Sequence, residues 1–274
     1  MIRVHKAVEP AILSVNKIQW TNDLLQKITD VGGYDHLSKA DKLAYVDYYK
    51  HVDIHAALRN GRFVEKCIYC ERDITTGDPN VEHYHPKSIY SQETFEWDNL
   101  FSACVNCNRP KGKFDTGVNP FIHPVNDDPE EFLTYEGLLI RPRYTAVTNQ
   151  ILHEKGKNVI EKCKLFRSEL FYGLADTLIV VSTMANELKD LINDYNNYQS
   201  QSFKERKARE ISQKLNGLNV FARADKENAG FARECIRRNP LVNQAVIIVN
   251  AHAGALGLGV SFDWGWNYNL PQYI

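Results

Sequence analysis

The chain has 274 residues, 43% of them apolar and 24% charged, and 33 basic side chains against 34 acidic ones give a formal net charge of −1. That balance excludes a polybasic nucleic-acid binder, so any basic surface must be local, and the length allows one large domain or two smaller ones. No apolar run approaches the roughly 20 residues of a membrane helix, and "MIRVHKAVEPAILSV" lacks the basic start and apolar stretch of a secretory signal; a cytoplasmic protein without a membrane role is expected, with its thiols reduced.

Residues 1–62 read as mostly helical after a short extended start. In "SKADKLAYVDYYKHVDIHAALRN", Ser38 is an N-cap, apolar residues follow at helical spacing, and Gly61 is the stop. Residues 63–125 are irregular and dense in Cys, His, Asn, Gly and Pro. A module stapled by metal, with little hydrophobic core of its own, has this composition. "NPFIHPVNDDPEEF" (119–132) is a loop with a helical turn after Pro129, and "GLLIRPRY" (137–144) predicts a strand.

Residues 126–274 form a mainly helical region with an aromatic tail. "KNVIEKCKLFRSELFYGLADTLIVVSTMANELKDLINDYNNY" is predicted to break into two helices, near Gly173 or around 182–186. "SFKERKAREISQKLNGL" is amphipathic and stops at Gly217, and "ADKENAGFARECIRRNP" ends at Pro240. The tail "SFDWGWNYNLPQYI" should pack down or meet a partner.

Four of the six cysteines form two C-x-x-C pairs, Cys67/Cys70 and Cys104/Cys107, 33 residues apart. Each pair can fold two thiolates onto one ion, and four thiolates make a closed, tetrahedral, structural zinc site. Four free buried cysteines, or an iron–sulfur cluster, are the alternatives. Cys163 and Cys235 stand alone in helical patterns as small buried apolar residues.

Between the pairs lies "NVEHYHPKS", which supplies Glu82 directly before His83, and then His85. "WDNLFSACVNCNRPKGK" follows, with Asn99 and Asn108. Histidine suits water activation near neutral pH, and carboxylate and amide oxygens suit a hard cation such as Mg²⁺. The order E-H, N-L, C-x-x-C-N-x-x-K over residues 67–113 resembles the HNH endonuclease motif. The resemblance implies an α+β fold: a mostly helical protein with an embedded ββα-metal module stapled by the four-cysteine zinc site. It also implies roles. His83 is the general base, Glu82 and Asn108 hold a catalytic Mg²⁺ or Mn²⁺ beside His83, and Asn99 orients the His83 loop through backbone hydrogen bonds. The family often has Asp where this chain has Glu82.

His85 would share a face with His83 if the segment stayed extended. With Lys87, Arg109, Lys111 and Lys113 it is a candidate phosphate contact. The flanks "ALRNGRFVEKCIYCERDI", "FEWDNLFSACVNCNRPKGKF" and "NDDPEEFL" resemble the PtuB-type HNH nucleases of Septu and retron anti-phage systems. That likeness implies a DNA substrate and an ABC-like ATPase partner of the PtuA type, met through the helical half or the tail. Two other readings stay open: a non-catalytic zinc module that binds nucleic acid or protein, and a stand-alone restriction-type nuclease. From Lys204 to Arg238, ten basic and five acidic residues offer either a second DNA contact or a solvated helix face.

Overall fold

The first helix, Ala11–Val31, starts after Pro10 and ends at Gly32, whose φ of 78° lies in the left-handed region that favours glycine. These features belong to a computed structural model that describes residues 1–60, 65–75, 80–259 and 261–266. Ser38 makes a capping box with Asp41: its hydroxyl accepts from the Asp41 N–H, and the Asp41 carboxylate accepts from the Ser38 N–H. One continuous helix does not follow. The chain winds through Lys39–Asp41, a wide turn at Lys42–Val46 and a tight one at Asp47–Lys50 before the helix Val52–Arg59. This rewinding brings Leu37, Val46, Tyr49 and Ile54 into one core with Leu13, Leu24, Val81, Phe95 and Leu100, so packing overrides the regular period. The predicted stop at Gly61 lies outside the described residues.

Strand β1 (Asn80–His83) pairs antiparallel with β2 (Leu100–Ala103), with Glu82 opposite Phe101 and His83 opposite Leu100. The helix Val105–Lys111 follows directly and completes a ββα unit. Successive strand residues point to opposite faces, so Glu82 and His83 diverge although they adjoin in sequence.

A helical turn at Pro129–Phe132 is capped by the Asp128 side chain, and the strand Leu139–Pro142 is present. It pairs with a second short strand, Leu133–Glu136, whose "LTYE" is too short to show alternation in the sequence. The helix Gln150–Lys162 passes so close to the preceding chain that a Cβ on Gly156 would lie 2.8 Å from the Phe132 carbonyl oxygen.

The chain divides into two units, Met1–Leu133 with Ile140–Arg167, and Thr134–Leu139 with Ser168 onward. The second unit contains the helices Ser168–Asn186, Leu188–Asn197, Gln201–Ala222, Ala229–Arg238 and Pro240–Ala251 around a core that includes Val181, Leu188, Ile211, Leu215 and Val249. The helical run breaks at Lys164, where φ is 49°, and at Glu187, just past the predicted window. Neither glycine acts as a stop. Gly173 sits inside its helix where a Cβ would come within 3.1 Å of the Asn228 amide, and Gly217 sits inside its helix 3.2 Å from Met184 Cε by the same measure. Both are places of close approach. Pro240 opens the last helix at its first turn, capped by Asn239.

The basic stretch uses much of its charge internally. Arg237 and Arg238 pair with Glu234, Lys207 with Asp194 and Glu210, Lys214 with Glu187, and Arg223 with Asp225. In the tail, Phe262 and Trp264 are buried in this core, and residues 267–274 lie outside the described set. Among the described residues, no helix is long and apolar enough to cross a membrane.

Candidate metal centre and active-site cleft

Cys67 and Cys70 sit on a knuckle closed by the Glu71 N–H donating to the Cys67 carbonyl (2.9 Å) and the Cys67 N–H donating to the Arg72 carbonyl (2.9 Å). Glu71 takes a φ of 61° to make this turn. Cys104 caps the helix Val105–Lys111 and Cys107 lies in its first turn. The two pairs converge, with all four Sγ atoms within 4.8 Å of one another and Cys70 to Cys104 at 3.7 Å. A tetrahedron of Zn–S bonds near 2.3 Å has edges of about 3.8 Å, so the four thiols fit a zinc ion. Arg167 adds a neighbour that the sequence does not signal, being 60 residues beyond Cys107: its Nη1 donates to Cys107 Sγ (3.4 Å) and its Nη2 to Cys104 Sγ (3.8 Å). Cys163 is buried, as its helical pattern implied, and Cys235 is half-buried.

Residues of the same hairpin and helix also line a cleft of about 620 Å³. His83, Lys87, Asn108, Arg109 and Lys113 line it from the module, and Tyr49 lines it from the N-terminal segment. His83 is buried, with its ring edge-on to Tyr49 at 4.7 Å. Its Nε2 lies 3.0 Å from the Thr94 carbonyl oxygen. A carbonyl only accepts, so Nε2 carries the proton and Nδ1 keeps the lone pair. Burial, and then the nearby Lys87 charge, hold the imidazole well below its ordinary pKa of 6.5, so it is neutral at pH 7.

Glu82 is buried too, and its Oε1 accepts from the Tyr69 hydroxyl (3.0 Å) and from Lys111 Nζ (2.6 Å). Burial pushes its carboxyl above the usual value, and Lys111 draws it back. Asn99 ties the loop after β1. Its Oδ1 accepts from the His85 N–H (2.6 Å), and its Nδ2 donates to the carbonyls of His85 (3.1 Å) and Glu93 (3.0 Å). Asn108 follows Cys107 directly on the helix, so the same turn that supplies the last thiol aims an amide at the cleft.

Two expected phosphate contacts are corrected. Lys111 is buried, and its Nζ donates to the carbonyls of His83 and Tyr84 (both 2.9 Å) besides pairing with Glu82. It is an internal brace between helix and strand. β1 ends at His83, so the extended geometry that would align His85 with it does not persist. His85 instead places Nδ1 2.6 Å from Glu93 and packs between Tyr84 and Tyr90. Lys87, Arg109 and Lys113 do line the cleft, and Lys113 also pairs with Asp35. Four more lining residues, Tyr34, Tyr49, Lys50 and His55, come from the chain at least 28 positions before His83 and belong to no motif.

A family model described as HNH endonuclease matches residues 67–114. The chain is 28% identical over 135 residues to the Septu protein PtuB of Bacillus thuringiensis, a match that covers 48% of this chain and 46% of that protein. The chain therefore spans about half the length of the curated relative it matches. No solved structure matches it. Motif order, the ββα geometry and the family match coincide, and residues 67–114 are an HNH endonuclease domain in a chain that is PtuB-like over about half its length.

Proposed function

We propose that the chain is a metal-dependent DNA endonuclease, cutting phosphodiester bonds in the His83 cleft as the cytoplasmic nuclease effector of a Septu-type defence system. The observation that carries this reading is the fixed tautomer of a buried, neutral His83 in a cleft bordered by cationic side chains. A structural zinc ribbon has no use for an imidazole whose lone pair is left over by design of the hydrogen bond opposite.

In this reading His83 Nδ1 takes a proton from the attacking water. The Thr94 carbonyl holds the ring by Nε2 and stabilises the imidazolium that forms. Asn99 fixes the backbone after His83, and Lys111 fixes the strand carbonyls beneath it. Glu82, His83 and Asn108 all line the cleft, and the carboxylate and amide oxygens suit a hard divalent cation. Glu82 Oε1 is engaged by Tyr69 and Lys111 while the His83 ring faces Tyr49 and Thr94, so Glu82 and Asn108 would share an ion with His83 only from the edge of the strand where all three line the cleft. A bound Mg²⁺ or Mn²⁺ would supply charge stabilisation at the phosphate and at the leaving oxygen. Arg109 and Lys113 would position the DNA backbone. The likeness to PtuB supports an ABC-like ATPase partner of the PtuA type.

The test is plasmid cleavage with Mg²⁺ or Mn²⁺ by the chain co-purified with its ATPase partner. Cleavage by wild type and at least a hundredfold less by His83→Ala is expected. Equal inactivity of both proteins with the partner present would refute the catalytic reading. Loss of function on Cys67→Ser but not on His83→Ala would favour a non-catalytic zinc module instead.

A further inference from the structure

Lys87 is the unusual cation of the cleft. It lies four residues after His83, just past the buried Pro86, and is half-buried. Lys50 and Lys113, which share the cleft, have carboxylate partners in Asp47 and Asp35, and Lys111 has Glu82. Among the described residues, the Lys87 ammonium has no hydrogen bond and no ion pair; it lies over the Tyr49 ring, 5.2 Å from Nζ to the centroid. That same ring packs edge-on against His83. One aromatic side chain thus braces both the imidazole and the ammonium at the same cleft.

An ammonium drawn out of water without a counter-ion is costly, and natural folds supply a partner or use the site for an anion. The charges facing Lys87 are Glu82 and Asp47 on the acidic side and Lys50 and Lys111 on the basic side; the two carboxylates are already paired with Lys111 and Lys50, and neither pairs with Lys87. Burial lowers its affinity for its proton, as expected for a desolvated lysine. An anion entering the cleft would meet this ammonium in a setting where its field is weakly screened.

We propose that Lys87 is a catalytic residue whose ammonium donates a hydrogen bond to a non-bridging oxygen of the scissile phosphate as negative charge builds there. This deepens the nuclease reading and rests on it. In the step, water oxygen bonds to phosphorus, its proton passes to His83 Nδ1, one ester P–O bond breaks, and the leaving oxygen takes a proton from solvent. The products are a phosphomonoester and an alcohol. Lys87 keeps its proton throughout and contributes only charge and a hydrogen bond, aimed where charge develops.

Steady-state cleavage by wild type, Lys87→Met and Lys87→Arg, each with the ATPase partner, tests the role. Lys87→Met should lower kcat by about 10²–10³-fold and move KM less than about threefold, and Lys87→Arg should recover at least about tenfold. A Lys87→Met protein with unchanged kcat, or one whose whole loss falls on KM, overturns the proposal. A second measurement needs no turnover: thermal unfolding with and without inorganic phosphate, no divalent cation added. Phosphate should raise the Tm of wild type and not that of Lys87→Met; equal rises, or none in wild type, overturn the anion site. If wild type cuts no DNA, the nuclease reading fails on that result, and the phosphate arm still decides Lys87 alone.

Discussion

Replacing Lys111 with Met should cost the fold far more than loss of a surface lysine. The residue and its partner Glu82 are both buried, 2.6 Å apart, and Lys111 also serves the His83 and Tyr84 carbonyls. Met fills nearly the same volume, so the loss is electrostatic. Breaking a buried pair from one side leaves an uncompensated charge and costs about 3–5 kcal/mol. The carboxylate has an escape, which sets a ceiling. It can take a proton at about 1.4 kcal/mol per pH unit above its ordinary value of 4.5, which is about 3.4 kcal/mol at pH 7. The lost carbonyl contacts add about 1 kcal/mol, softened because Thr116 still donates to the Tyr84 carbonyl at 2.7 Å. A deficit of about 3–4 kcal/mol at pH 7 is expected, read as a fall of roughly 1–3 M in the urea midpoint of the module.

The sign with pH follows from linkage. In Lys111→Met the largest downward pull on Glu82 is gone, the smaller ones of the Tyr69 hydroxyl and the Lys87 charge stay, and the larger upward push of burial remains, so the folded carboxyl titrates above the unfolded one. The folded state then binds more protons above pH 4.5, and stability falls as pH rises through that window. The deficit should shrink to about 1–2 kcal/mol at pH 5. Adding Glu82→Gln removes the charge and should restore about 2 kcal/mol at pH 7. A single variant within 1 kcal/mol of wild type at pH 7, or a deficit that grows on acidification, would refute the buried-pair account.

Three more outcomes are expected. Asn99→Ala should destabilise the module by about 2–4 kcal/mol, since three backbone hydrogen bonds end on one buried amide, and Asn99→Asp should be no milder because both carbonyls would face an acceptor; urea unfolding decides. Arg167→Met should speed zinc loss to a chromogenic chelator by about 10–100-fold, the scale of an outer-sphere partner, while Arg167→Lys lies between. Cys104→Ser should release zinc and abolish cleavage together, because Cys104 caps the helix that carries Asn108; a zinc-free Cys104→Ser protein that still cuts DNA would break that coupling.

What the sequence made legible tracks how local each signal is. The two C-x-x-C pairs announced a centre because the knuckle is made by neighbouring residues, and only the convergence of the pairs needed the fold. Asn108 was readable for the same reason, since it adjoins Cys107 on one helical turn. Lys111 is different: a lysine near phosphate-binding candidates looks exposed by type, and the structure buries it. Its burial depends on Glu82, 29 residues away, reaching it across the hairpin. His85 would share a face with His83 only in an extended segment, and because the strand ends at His83 its ring turns to Glu93 instead. Glycine misled in the helices: Gly173 and Gly217 lack a side chain because Asn228 and Met184 press close, a tertiary fact that local spacing cannot carry. The motif-free part of the cleft lining follows the same logic. Tyr49 sits in a tight turn that no periodicity predicts, and it matters only because its ring lies against His83 and under Lys87. The motif therefore locates the chemistry, and the motif-free segment before it supplies the surface that fixes the base and the cation in place.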